Sequence, residues 1–153
     1  VIARTILNLI SFPDQWDLLR QGADLTVATE ELIRYVTPIH NMCRVAAKDA
    51  VIAETPIRSG QQVVLMYSSA NRDPSQFPGP ERMDVTREPN NHLSFGFGTH
   101  FCLGAALARL EIRVFFEELL RRVRSMRLVS EPVEMPNAFV YGLRSAEVEF
   151  ELV

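Results

Sequence analysis

Cysteine is scarce: Cys43 and Cys102 are the only two in the chain, far apart and without repeated spacing. A secreted scaffold stapled by disulfides is not the simplest reading, and a reducing compartment, by default the cytoplasm, is expected. Long apolar runs are also missing. Arg4, Arg109 and Arg113 interrupt them, so nothing approaches the roughly 20 consecutive apolar residues of a membrane span, and no membrane span is expected. No secretory signal, internal repeat or low-complexity tract is visible. Nor is there the basic excess of a nucleic-acid binder: the formal net charge is -3, and no nucleic-acid partner is expected.

What the chain does have is a globular composition, 47% hydrophobic and 23% charged over 153 residues, the size of one domain. The opening VIARTILNLISF reads as a helix already under way. Ile2, Ile6, Leu9 and Ile10 share a face, yet no Ser, Thr, Asp or Asn precedes them as a cap, so the start looks cut. Pro13 ends that helix and opens another, with Trp16 and Leu19 or Leu18 inward and Gly22 closing it. Asp24 can cap a third helix running to about Tyr35 and stopped by Pro38. From residue 44 the pattern turns extended, with short Val- and Ile-rich runs broken at Lys48-Asp49, Pro56 and Ser59-Gly60, as in hairpins.

Residues 73–101 are rich in proline and glycine, with four of the nine prolines and three of the seven glycines, a long loop of the kind that usually carries function. The segment after Cys102 is the strongest helix. Leu103, Leu107, Leu110 and Val114 follow a spacing of three or four, with Leu120 six positions further on, while Ala105, Ala106 and Ala108 permit close packing. Strands are expected in the tail at MRLV, AFVY and AEVEFELV.

Chemistry concentrates in FGFGTHFCLG, residues 95 to 104. Gly96 and Gly98 can take positive φ or let a flat ligand approach the backbone. Cys102 sits at the mouth of the long helix, where free amides and the helix dipole favour an anionic sulfur. An axial thiolate suits haem iron to O–O bond cleavage. Read without a family pattern, Cys102 can equally be a structural cysteine in a turn. A zinc site using His100 and Cys102 lacks two further ligands nearby.

This segment resembles the haem-binding signature of the cytochrome P450 family at every constrained position: Phe95, Gly96, Gly98, the basic residue His100, Cys102 and Gly104. The resemblance implies a mainly α fold with small β-sheets and haem b as cofactor, with Cys102 as axial ligand. It also implies that Phe95 packs near the sulfur, that His100 reaches a haem propionate, and that Gly104 lets the following helix pass close beneath the porphyrin. His at that position is similar to soluble bacterial members.

The same resemblance gives Glu31 and Arg34, in TEELIRYV, the family's Glu-x-x-Arg pair. Arg82, in FPGPERMDV, takes the third place in a buried network, with Met83 where an aromatic is common. Such a network needs all its partners, because a lone buried charge costs several kcal/mol. Without the family pattern, Glu31 and Arg34 are an ordinary exposed helical pair. Arg44 matches a propionate-binding position, to which its donor fork is suited. His40 lies in a stretch that resembles a substrate-facing or haem-edge segment, with a loop-surface place an equal reading; His92 is assigned no chemistry, and Cys43 is read as a small buried hydrophobe. Val36, Ile39, Met42, Ala138, Phe139 and Val140 can border a substrate cavity or simply fill a core.

Family members extend much further toward the N-terminus, so the resemblance makes residues 1–153 the C-terminal haem-thiolate part, lacking an N-terminal part. The acid–alcohol pair of the central helix falls in that part, and Thr5 lies too far along to replace it. The implied reaction is hydroxylation of a hydrophobic small molecule by O2, with electrons from a ferredoxin and ferredoxin reductase. HNMCRVA and EPNNHLSFGFGTHFCLG resemble actinobacterial members that oxidise side chains of steroids or branched lipids. Arg109, Arg113, Arg121, Arg122 and Arg124 form either a docking patch for an acidic donor or a solvated helix face. A peroxide-driven peroxygenase, a non-catalytic haem-binding fragment or sensor, and a non-haem interaction domain remain the alternatives.

Overall fold

The computed structural model describes all of residues 1–153. The helices and strands follow the order α1 (Ile2–Ser11), α2 (Pro13–Arg20), α3 (Leu25–Val36), β1 (Asn41–Val45), β2 (Ala50–Ile52), β3 (Thr55–Ile57), β4 (Gln62–Met66), α4 (Tyr67–Ala70), α5 (Ala105–Arg122), β5 (Val123–Leu128), β6 (Val133–Glu134), β7 (Leu143–Ser145) and β8 (Val148–Leu152). Four separate two-stranded sheets pair β1 with β4, β2 with β3, β5 with β8 and β6 with β7, all antiparallel. The architecture is thus mainly helical with small sheets.

Helix boundaries follow local chemistry. Val1 offers α1 no side-chain cap, and Phe12 breaks the helix so that Pro13 can open α2. Within α2, Trp16 and Leu19 turn inward whereas Leu18 stays exposed. The Trp16 indole N–H donates to the carbonyl of Arg124 at 3.0 Å, tying the helix to β5. The Asp24 carboxylate caps α3 by accepting the Thr26 N–H at 2.7 Å. Thr37 ends α3 in the left-handed region at φ 43, a conformation a β-branched residue rarely takes. Its hydroxyl offsets the cost by donating to the Arg34 carbonyl at 2.6 Å.

One core joins Leu9, Trp16, Leu19, Ala28, Leu32 and Ile33 of the first three helices to Met83 and Val85 of the long loop and to Ile112, Phe116 and Val123. Each large side chain buried there contributes about 1.5–3 kcal/mol, so the loop is packed as firmly as a helix. The face of α5 that meets this core is not the expected one. Ile112 and Phe116 are buried, while Leu103 before the helix and Leu107, Leu110 and Val114 along it are 102%, 59%, 47% and 46% exposed. Of the expected stripe, only Leu120 packs partly against the core. The helix carries two apolar faces, and the periodicity by itself ranks neither above the other.

Three smaller expectations also shift. Extended structure begins at Asn41 rather than 44, and Cys43 is exposed, because β1 pairs only with β4 and Cys43 stands opposite Val64 on an open face. Tyr67–Ala70, read as extended, closes into a helical turn. AFVY supplies no strand, only a single bridge between Val140 and Ile39.

Candidate functional site

Glu31 is wholly buried on α3 and accepts from four directions. Arg34 reaches it through Nε at 2.7 Å and Nη2 at 2.8 Å. The Asp84 amide donates to it at 2.9 Å, Asn90 Nδ2 at 2.9 Å and Arg87 Nε at 3.1 Å. Arg34, equally buried, sends Nη1 to the carbonyls of Asn71 at 2.6 Å and Pro80 at 3.2 Å. A buried carboxylate and guanidinium are tolerable only with their hydrogen-bonding capacity filled. Filling it here fastens the loop after α4 to the back of α3.

Arg82 is not part of this network, which corrects the reading taken from PERM. Its guanidinium is 62% exposed and pairs with Asp14 at 2.5 Å, while Arg87, 10% exposed, takes the place beside Glu31. Met83 and Val85 occupy the inward positions of that stretch, so Arg82 faces outward. A turn from Asp84 to Arg87 then folds the second arginine back. Arg87 also binds the Arg82 carbonyl at 3.3 Å.

Asn71 and Ser94 carry this order to the cysteine loop. Asn71, fully buried, donates to Thr37 Oγ1 at 2.8 Å and Ser94 Oγ at 2.9 Å. It accepts the Leu93 N–H at 2.7 Å. Ser94 in turn donates to the Ile33 carbonyl at 3.1 Å. Beyond Ser94 the backbone loops back on itself. Gly96 and Gly98 stand at φ 73 and 70, where any side chain would cost about 1–2 kcal/mol. A 3-10 turn spans Gly98–His100, and the Cys102 N–H closes the loop on the Phe95 carbonyl at 2.9 Å.

Cys102 is a free, exposed thiol, three residues before α5 begins. It lines a cavity of about 350 Å³ together with Ile39, Met42, Arg44, Tyr67, Phe95, Gly96 and His100. A second cavity of about 460 Å³ shares Arg44, Tyr67 and His100 and adds Leu65, Phe97 and Thr99. Arg44, Tyr67 and His100 thus line both cavities. A Cβ added to Gly104 would lie 3.9 Å from the Cys102 sulfur, an ordinary contact.

Glu30, which pattern reading passed over, joins Arg109, read as part of a docking patch or solvated face, to His92, assigned no chemistry from sequence. Glu30 receives a two-pronged bond from Arg109, Nε at 2.7 Å and Nη2 at 2.8 Å. It also makes a 3.1 Å bond with His92 Nε2. Partial burial pushes the Glu30 carboxyl up, but the hydrogen bonds and attraction of Arg109 and His92 outweigh it and bring the pKa down to about 2. The arginines behind Cys102 do not form a free basic patch: Arg113, Arg121, Arg122 and Arg124 pair with Glu117, Glu118 (which takes both Arg121 and Arg122) and Glu151.

A family model described as Cytochrome P450 matches residues 13–150. The chain belongs to the cytochrome P450 family. It is 46% identical over 147 residues to the steroid C26-monooxygenase of Mycobacterium tuberculosis (strain CDC 1551 / Oshkosh), covering 94% of this chain and 40% of that protein. It is 42% identical over 148 residues to the linalool 8-monooxygenase of Pseudomonas putida, covering 96% and 36%. Among solved structures, P450BioI in complex with an acyl carrier protein ligated to hexadec-9Z-enoic acid matches with a TM-score of 0.92 at 43% identity, over 98% of this chain and 40% of that one. The chain therefore spans well under half the length of these P450 relatives. No helix is long and apolar enough to cross a membrane.

Haem b is the cofactor of these P450 relatives, and the residues present fit it. A porphyrin brings its own in-plane nitrogens, so the protein must add an axial donor and partners for the propionates. Cys102 is such a lone donor: no group of three or more His, Cys, Asp or Glu side chains gathers anywhere to hold a metal ion by itself. Arg44 and His100, which line both cavities, offer N–H donors, and the rest of the lining is largely apolar.

Proposed function

We propose that residues 1–153 are the C-terminal haem-thiolate part of a longer P450 monooxygenase. The whole protein hydroxylates a hydrophobic small molecule, of the steroid or branched-lipid kind, with O2 and electrons delivered by a ferredoxin and its reductase. The observation that carries the reading is an unpaired cysteine on a cavity that Arg44 and His100 also line. In this reading Cys102 is the axial ligand, while Arg44 and His100 hold the propionates. Gly96, Gly98 and Gly104 keep the backbone close to the ring, and Phe95 packs beside the sulfur.

Haem b, when bound, supplies the oxidation: one atom of O2 enters a C–H bond and the other leaves as water, using two electrons. The chain's own share is positioning. The Phe95 carbonyl fixes the Cys102 amide, and the buried Glu31, Arg34, Arg87 and Asn71 network keeps the loop from relaxing when the thiol becomes a thiolate. Ile39 and Met42 present apolar surface on the cavity wall, which suits a greasy substrate. The steroid and terpene names of the relatives support that class. The exposed Leu103, Leu107, Leu110 and Val114 support an N-terminal part that covers them.

Product formation by the full-length protein tests the reading. Hydroxylation of a steroid or terpenoid is expected with O2, NAD(P)H, ferredoxin and reductase. Turnover with hydrogen peroxide alone would favour a peroxygenase, and haem binding without product under either regime would favour a sensor.

A further inference from the structure

Resting on the assignment of Cys102 as the haem ligand, we infer that Arg109 is a positioning residue that tunes electron donation from that sulfur. Glu30 and His92 hold its guanidinium over the ring of Phe95. The guanidinium carbon lies 4.5 Å from the Phe95 ring centroid, within the range of a cation on an aromatic face. Phe95 lines the same cavity as Cys102 and accepts its amide hydrogen at 2.9 Å. Arg109 is thus one aromatic ring away from the cysteine loop.

Its place is set by two other elements. Glu30, on α3, grips both Nε and Nη2, the fork geometry that allows only one orientation. The Oε2 that accepts from Arg109 Nη2 also meets His92 Nε2, and the His92 side chain is 2% exposed. His92 Nδ1 lies 3.2 Å from the Ser94 amide nitrogen and Nε2 3.1 Å from Glu30, so the ring is held between two partners. The His92 ring also lies 5.7 Å from that of Phe95.

The Arg109–Glu30 pair has no net charge, so its influence on the ring comes from orientation, with the positive end on Phe95 and the negative end on α3. A positive end there favours the more negatively charged, reduced form of a thiolate-bound iron and raises its reduction potential. Arg109 and Glu30 are 36% and 25% exposed, dry enough for the field to be only partly screened.

The test is the ferric/ferrous reduction potential of the full-length haem protein. Arg109→Met is expected to shift the one-electron equilibrium toward the oxidised form by about tenfold, or ~59 mV. Arg109→Lys, which keeps the charge without the fork, shifts it in the same direction by less. In a Phe95→Leu background the Arg109→Met shift disappears, because the two act through one contact. An unchanged potential in Arg109→Met, or an undiminished shift in the Phe95→Leu background, overturns the inference. If Arg109→Met fails to bind haem, an Arg109→Lys protein at the parent potential overturns it as well. The carbon-monoxide spectrum of the unsubstituted protein separately decides whether Cys102 ligates haem, so the two failures are distinguishable.

Discussion

Arg82 and Arg87 lie five residues apart in one loop, yet only the second is held by a buried carboxylate. Arg87→Ala leaves Glu31 short of a partner in a dry setting and is expected to destabilise the full-length protein by about 3–5 kcal/mol. Arg82→Ala breaks only an exposed pair and is expected to cost about 0–1 kcal/mol. Urea unfolding of both variants checks this, and equal losses would contradict the assignment. No pattern in PERMDVTREP says which arginine turns inward, because the choice is made by Met83 and Val85 entering the core. Cys102, by contrast, is legible in sequence because its glycines and cysteine act within ten residues.

Glu30 gives a pH-dependent consequence at the same scale. Its folded pKa of about 2 lies below the ordinary value of 4.5, so its contribution to stability is present above about pH 4.5 and is lost as pH falls toward 2. Glu30→Gln should therefore be less stable than the parent at neutral pH, and the difference should shrink through that window. Acid titrations of denaturation midpoints measure it, and a difference independent of pH would contradict it. Glu30 escaped pattern reading because its partners, Arg109 and His92, lie 79 and 62 positions away.

Among the elements, α5 shows most clearly where periodicity stops being informative. The helix itself, the three before it and their ends follow from caps, prolines and apolar spacing, as Asp24 and Pro13 illustrate. Its inward face does not, since Ile112 with Phe116 and Leu107 with Leu110 and Val114 are both helical stripes. If the remainder of a longer protein covers the second stripe, Leu110→Ala in the full-length protein should cost about 2–5 kcal/mol, as a buried truncation does. On an exposed face the same change stays within about 0.5 kcal/mol. Denaturation of the full-length variant distinguishes the two. The short strands were harder to place, because β6 and β7 pair over only two register positions and AFVY contributes one bridge.

At the scale of the whole molecule, only 24 of 153 residues are buried, so the chain's order rests heavily on the polar network around Glu31, Arg34 and Asn71. That network joins α3, the long loop and the cysteine loop into one support, in which Arg87 stands where the family resemblance put Arg82. The two cavities beside the cysteine loop are lined by apolar side chains together with Arg44 and His100, and one of them by the Cys102 thiol. The direct test is the reduced carbon-monoxide difference spectrum of the full-length protein and its Cys102→Ser variant. The parent should absorb at the long wavelength diagnostic of thiolate-bound haem and the variant should lose that band. A parent spectrum typical of nitrogen or oxygen ligation, or a variant indistinguishable from the parent, would contradict the account.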